Sequence, residues 1–273
     1  MSAWSTLQHA AAHCLSTCDP AEKITATLEA AQAFLQARLP LADAANWPQI
    51  PVPEAAGRPE RPMLVPPRQL ASRGLGSAQG RAALLHAIAH IEFNAVNLAW
   101  DAVLRFPDMP HEYYADWTSC AKDEARHFSL LAARLAMYGH AYGDFDAHDG
   151  LWEMARKTAH SCLARMALVP RVLEARGLDV TPAMIERVAA CGDAQTVAVL
   201  EIILREEVAH VAAGSRWFRW CCEREGVSPA ATFRHLLREH ASGVLRKPFN
   251  EKARREAGFD DDDMAMIEAL AGR

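Results

Sequence analysis

The chain has 273 residues, of which 51% are apolar and 23% charged, with a formal net charge of −5. That is enough length and apolar content for a globular core, and the charge gives no general attraction to nucleic acid or to an anionic membrane surface. Seven cysteines without a Cys-x-x-Cys pair suggest neither a disulfide framework nor a thiolate zinc site. No run of about 18 apolar residues offers a membrane span, and His9, His13 and Asp19 interrupt what would be the apolar core of a signal peptide. A reduced, cytoplasmic protein is expected.

In chain order, residues 2–39 read as two helices, with Asp19 and Pro20 as N-cap and first helical position of the second. Between residues 40 and 68 come Pro40, Pro48, Pro51, Pro53, Pro59, Pro62, Pro66 and Pro67, which forbid a helix and disfavour strands. This is an extended connector. Its apolar members Trp47, Ile50, Val52, Met63, Leu64 and Val65 predict that it packs against the domain.

From Ser77 onward the pattern is helical, with helices over 77–105, 111–138, 151–176 and 193–225. A smaller helix is expected after Thr181-Pro182, and another element over 228–242. No segment alternates with period 2, so no sheet is expected. The short link 106–110 makes the first two long helices antiparallel neighbours. The 12 residues from Gly139 to Gly150 span at most ~40 Å when extended, which lets the third helix start at the opposite end of a bundle. The expected architecture is all-α and a single domain over 1–273. It consists of N-terminal helices (1–39), a proline-rich connector (40–76), a four-helix bundle with one long crossover (77–225), and a C-terminal helix and tail (226–273).

Two helices repeat one motif: Asp123-Glu124-Ala125-Arg126-His127 and Glu206-Glu207-Val208-Ala209-His210. Each sets a Glu and a His three residues apart, on one helical face. With 19 Glu and 12 His in 273 positions, about one such pair arises by chance, so the pairs alone decide little. The longer interval is informative. Glu92 lies 32 residues before Glu124, and Glu174 lies 33 before Glu207. Each interval equals one helical hairpin, so four helices would deliver four carboxylates and two imidazoles to one place. Carboxylates on apolar stripes such as Leu85, Ile88, Val96 and Ala99 around Glu92 are costly to bury alone. Two dications would offset that cost. The competing reading is six ordinary surface or core residues, and it leaves the equal intervals unexplained.

The first half resembles the pattern of soluble di-iron oxygenases, an acid followed some thirty residues later by Asp-Glu-x-Arg-His; the second half has Ala209 where that pattern has Arg. Residues 60–255 also resemble an uncharacterised bacterial ferritin-like family. The resemblance runs through Pro62–Pro67, Gly74-Leu75-Gly76, His86–Glu92, Met166–Gly177 and Lys247–Arg254. That family is similar to the tRNA hydroxylase that oxidises a prenylated adenosine. The resemblance implies a ferritin-like four-helix bundle with Glu92, Glu124, His127, Glu174, Glu207 and His210 as metal ligands. The activity does not follow, since one such site serves many reactions.

Around these ligands, Asp123 and Glu206 lie four residues before His127 and His210 and are candidates to accept a histidine ring N–H; a solvated acid is the plainer reading. Arg126 either pairs with such an acid or faces solvent. Cys120 and Trp117, one and two turns before Glu124, are candidate pocket residues or plain core. Pro170 removes the N–H that would bond the Met166 carbonyl, so a kink beside Glu174 is expected. His86 and His90 read as core or supporting residues, and His160 as a candidate to enter the bundle. The basic stretch Arg246, Lys247, Lys252, Arg254 and Arg255 reads as solvated surface.

Two iron ions are the expected cofactor, because a carboxylate-rich set with two imidazoles suits iron or manganese better than zinc; manganese or a mixed Mn/Fe pair stays open. The leading expectation is an O2-activating oxygenase or oxidase of the hydroxylase type acting on a small-molecule or modified-base substrate. The alternatives are a ferroxidase or iron-handling protein, and a non-enzymatic metal-bound scaffold. No dinucleotide fingerprint is present, so a separate electron donor is expected. Weak or no nucleic-acid binding is expected from the net charge.

Overall fold

The computed structural model describes residues 4–43, 47–71, 74–241 and 244–271; positions 1–3, 44–46 and 72–73 of the expected N-terminal helices and connector, and 242–243 and 272–273 of the expected C-terminal helix and tail, lie outside them. Among the described residues there is no strand, only an isolated parallel bridge between Leu64 and Ala147. No described helix is long and apolar enough to cross a membrane. The chain forms two compact units, residues 1–152 and 153–273.

In the first unit, α1 (Leu7–Ser16) and α2 (Pro20–Leu35) are the two expected N-terminal helices. Asp19 caps α2 by accepting from the Glu22 N–H, with Pro20 in the first turn. The connector holds two short 3₁₀ turns, Trp47–Gln49 and Pro67–Gln69. Trp47 and Ile50 are buried, and the Trp47 indole N–H donates to the Leu104 carbonyl at 3.0 Å. Met63 does not pack as expected; it is exposed, being a position where the bridged strand-like segment faces outward. The connector and the chain after Leu104 border a cavity of about 650 Å³ lined by residues including Trp47, Val52, Met109 and Tyr114.

The long hairpin of this unit is α3 (Ala78–Arg105) and α4 (His111–Met137). Ser77 caps α3 through the Gly80 N–H. Tyr113 donates to the Ala102 carbonyl and Tyr114 to that of Phe106, closing the turn. The Ala102–Tyr113 contact together with a Glu92–His127 contact further along fixes an antiparallel register. From Glu92 to Leu104 every residue of α3 is buried, because both α1 and α4 pack on it; the helix is covered all round rather than on one stripe.

One buried cation ties α1 to α3. Lys23 Nζ donates to the Cys14 and Leu15 carbonyls at 2.8 and 3.2 Å and to Asn97 Oδ1 at 2.6 Å. Burial pushes its pKa down to about 7. The three acceptors, two of them carbonyls at the end of α1, use all three N–H groups of the ammonium. Lys23→Met removes these bonds and strands buried acceptors. Urea unfolding should show a loss on the order of 3 kcal/mol; an unchanged midpoint would remove Lys23 from the structural account.

In the second unit the expected third helix is broken. The boundary of the units falls within α5 (Gly150–Lys157). The chain then turns, and Ser161 caps α6 (Cys162–Leu168) through the Ala164 N–H. His160, expected to enter the bundle, lies in the turn and is exposed. A π-helical turn, Val169–Glu174, follows and leads into α7 (Ala175–Ala189). The helix start expected at Thr181-Pro182 does not occur; Pro182 sits inside α7. Proline cannot bond the Leu178 carbonyl, and the side-chain amide of Asn250 donates to that oxygen instead, at 3.1 Å.

Helix α8 (Ala194–Glu225) packs along α6, the π turn and α7. Asp193 caps its start, and Gly226 ends it with φ 67°, the left-handed cap conformation that glycine adopts at little cost. After α9 (Pro229–His240), the expected tail is two further helices, α10 (Glu251–Glu256) and α11 (Asp261–Ala271). The basic stretch is only partly solvated surface. Arg254 is buried and donates to both oxygens of Asp179, at 2.9 and 2.7 Å. Arg255 pairs with Glu251 and Asp261.

Candidate metal centre

In the first unit, three of the sequence-predicted ligands come together. Glu92 lies in the middle of α3, and Glu124 and His127 lie one turn apart on α4. They are 4%, 2% and 0% exposed. His127 Nδ1 is 3.2 Å from Glu92 Oε2 and 3.4 Å from Glu124 Oε2, and the three offer ligand atoms all within 4.8 Å of one another. Two ligand atoms bound to one ion at ~2.1 Å lie ~3–4 Å apart, so the two contacts to His127 already have that spacing. This buried Glu/His group can hold a metal ion.

The electrostatics point the same way. Burial alone would lower the His127 pKa, but hydrogen bonds and charge from Glu124 and Glu92 outweigh it and raise it to about 11. Two buried carboxylates thus demand a cation at this spot, and the imidazolium proton supplies one. A divalent ion would take over that role, with His127 neutral as a ligand.

In the second unit the same pattern recurs on different scaffolding. Glu207 and His210 are buried one turn apart on α8, with His210 Nδ1 3.5 Å from Glu207 Oε1. Glu174 closes the π turn and is half-buried. The expected kink beside it is present as that π turn. A Cβ at Gly214 would overlap the Pro170 ring, so Pro170 lies against α8 at that point.

The flanking candidates have their own partners. Arg126 sits 4.0 Å from Asp123, the pairing considered for it, and Arg205 sits 3.7 Å from Glu206; both acids are partly exposed. Trp117 and Cys120 are buried in the α4 core, Trp117 edge-on to Tyr113. His90 spends its ring nitrogens on Tyr142 Oη at 2.8 Å and on the His148 carbonyl and Asn94 near 3 Å. His86 accepts from the Gly143 N–H at 2.9 Å and stacks on Tyr142. Burial lowers both histidines to about 4. They anchor the segment after α4 rather than reach a metal. Tyr142, which also packs on Phe93 and Phe128 beside two ligands, gave no signal in the sequence, because a loop residue has no periodicity to read.

Residues 16–265 match the family described as "Protein of unknown function (DUF455)". The chain belongs to the DUF455 family. A relative, an uncharacterized protein of Haemophilus influenzae (strain ATCC 51907 / DSM 11121 / KW20 / Rd), is 41% identical over 261 residues, covering 93% of this chain and 90% of that protein. No solved structure matches the chain. In this DUF455 member the buried Glu/His group is the feature that could hold a metal ion.

Proposed function

We propose that this protein is a ferritin-like, non-haem di-iron protein, with Glu92, Glu124, His127, Glu174, Glu207 and His210 holding two iron ions. Its activity is that of an O2-activating oxygenase or oxidase of the hydroxylase type. The substrate is a small molecule or modified base, and electrons come from a separate donor. The observation that carries this reading is the buried Glu92, Glu124 and His127 group, with ligand-like spacing and no apolar role. The equal sequence interval to a second Glu, Glu-x-x-His set supports extending it to six ligands. Manganese or a mixed Mn/Fe pair fits the same donors.

When bound, the metal pair supplies redox chemistry toward O2. The chain's own residues do the rest. Four carboxylates balance the charge of two dications, and two imidazoles add neutral donors. Apolar neighbours such as Ile88, Val96 and Leu131 keep water from the carboxylates, so each charge acts at low dielectric. Asp123 and Glu206 are proposed to orient the histidines, and Trp117 and Cys120 to border the substrate.

Protein loaded anaerobically with Fe(II) and analysed by plasma emission should hold close to two iron per chain, and admitting air should give O2 uptake that rises with an organic substrate. Iron turnover with no organic substrate would move the reading to iron handling. One tetrahedral zinc held by cysteines would sink it. Binding of tRNA is expected to be weak and strongly salt-dependent. Tight binding at 0.15 M salt in a filter assay, lost on neutralising the exposed Arg246, Lys247 and Lys252, would contradict this.

A further inference from the structure

The π turn that ends on Glu174 is held by an unusual set of contacts. Arg171, three residues before Glu174, is fully buried. Its guanidinium lies 4.0 Å from the centre of the Phe233 ring, 4.7 Å from Phe259 and 4.8 Å from Phe218. Its Nη2 donates to Asp263 Oδ2 at 2.6 Å, while Nε and Nη1 have no hydrogen-bond partner among the described residues. Asp263 lies in the first turn of α11, 92 residues further along the chain. It is fixed in turn: its N–H donates to Asp260 Oδ1 at 2.9 Å, and Arg219 Nη2 lies 3.6 Å from its carboxylate. On the other side of the turn, the Pro170 ring fills the space left by the missing side chain of Gly214.

A π turn is intrinsically poorer than α-helix and survives where surrounding contacts impose it. A buried ion pair is also a weak source of stability, since apolar residues of similar volume often do as well or better. In some proteins such a pair instead serves to select one defined geometry. We propose that Arg171 and Asp263 are positioning residues: α11 clamps the π turn through this pair, and the clamp sets where the Glu174 carboxylate meets its metal ion. This rests on the reading of Glu174 as a ligand given above. Metal sites tolerate displacements of only about 0.5 Å before affinity suffers, so a turn relaxing toward regular α-helix would carry Glu174 out of range.

The test compares three variants of the full chain, loaded with Fe(II) and followed by plasma emission, an iron-chelator competition and far-ultraviolet circular dichroism. Asp263→Asn removes the charge without changing volume. Arg171→Lys keeps the charge but loses the planar stack on the three rings. Glu174→Ala removes the ligand. The expected result is that all three lose one metal equivalent, or weaken it at least tenfold, at wild-type helix content. A merely structural pair would lower the melting temperature and leave metal affinity unchanged in the folded protein. If Glu174→Ala loses a metal while both clamp variants keep two at wild-type affinity, the clamp is overturned and the ligand reading stands. If Glu174→Ala itself keeps both metals, the ligand reading fails and the clamp fails with it. Should Asp263→Asn not fold, Arg171→Lys alone decides.

Discussion

Glu207→Ala is expected to lose at least one bound iron and with it all O2 uptake, while Glu206→Ala keeps both metals. The two residues are adjacent and chemically identical, so composition and local charge cannot separate them. Helical geometry does. Glu207 is buried and 3.5 Å from His210, whereas Glu206 is partly exposed beside Arg205. In the proposed di-metal site, deleting Glu207 would leave two dications short of one counter-charge where water is already excluded and an uncompensated charge is most costly. Glu206→Ala should lower affinity or activity by roughly 10–100-fold if that carboxylate orients His210, and by nothing measurable if it is only solvated. The same contrast holds for buried Glu124 and for Asp123 beside Arg126. Metal analysis and an oxygen electrode read both effects. Loss at Glu206 with retention at Glu207 would show that the wrong face of α8 has been assigned.

The second large effect is on stability. Asp179→Ala should destabilise the protein by about 3–5 kcal/mol, the usual result of leaving one member of a buried pair uncompensated. Arg254 would lose both of its carboxylate bonds, at 2.9 and 2.7 Å, while still enclosed against Phe249 and Phe259. The backbone N–H of Asn250 would lose its bond to Asp179 Oδ1 as well. That loosens the residue whose amide satisfies the Leu178 carbonyl opposite Pro182. Denaturant titration followed by circular dichroism should therefore show the C-terminal helices and α7 melting earlier. A loss below about 1 kcal/mol, the scale of an exposed pair, would mean that Arg254 reaches solvent on losing its partner.

Much of the helical framework follows from local rules. The limits of α3, α4 and α8 are read from periodicity, and the structure closes them with local caps: Ser77 before α3, Asp193 and Gly226 around α8. These signals act within one turn of backbone, so they need no knowledge of the fold. The ligand candidates were legible for the same reason. Glu-x-x-His is a statement about one helical face, and its recurrence after a second hairpin interval is visible in one dimension. The trio Glu92, Glu124 and His127 meets because a five-residue turn leaves α4 no choice but to return along α3.

Long-range contacts decided the rest. Thr181-Pro182 is locally a good helix start, yet α7 runs through it, because an amide 68 residues later takes up the carbonyl that proline leaves open. Pro170 announces a disturbance beside Glu174, but the groups that pack against the resulting π turn, namely Gly214, three aromatic rings and Asp263, lie far away in sequence. Arg254 in a basic run looks like solvated surface; only its partner Asp179 makes burial tolerable. Lys23 is buried for a like reason, with three acceptors from α1 and α3 around it. A pattern in sequence reports what a residue prefers in water and in its own helix. Whether a charge or a proline can sit elsewhere depends on whether a distant segment brings the compensating donor or acceptor, and that is known only once the chain has folded.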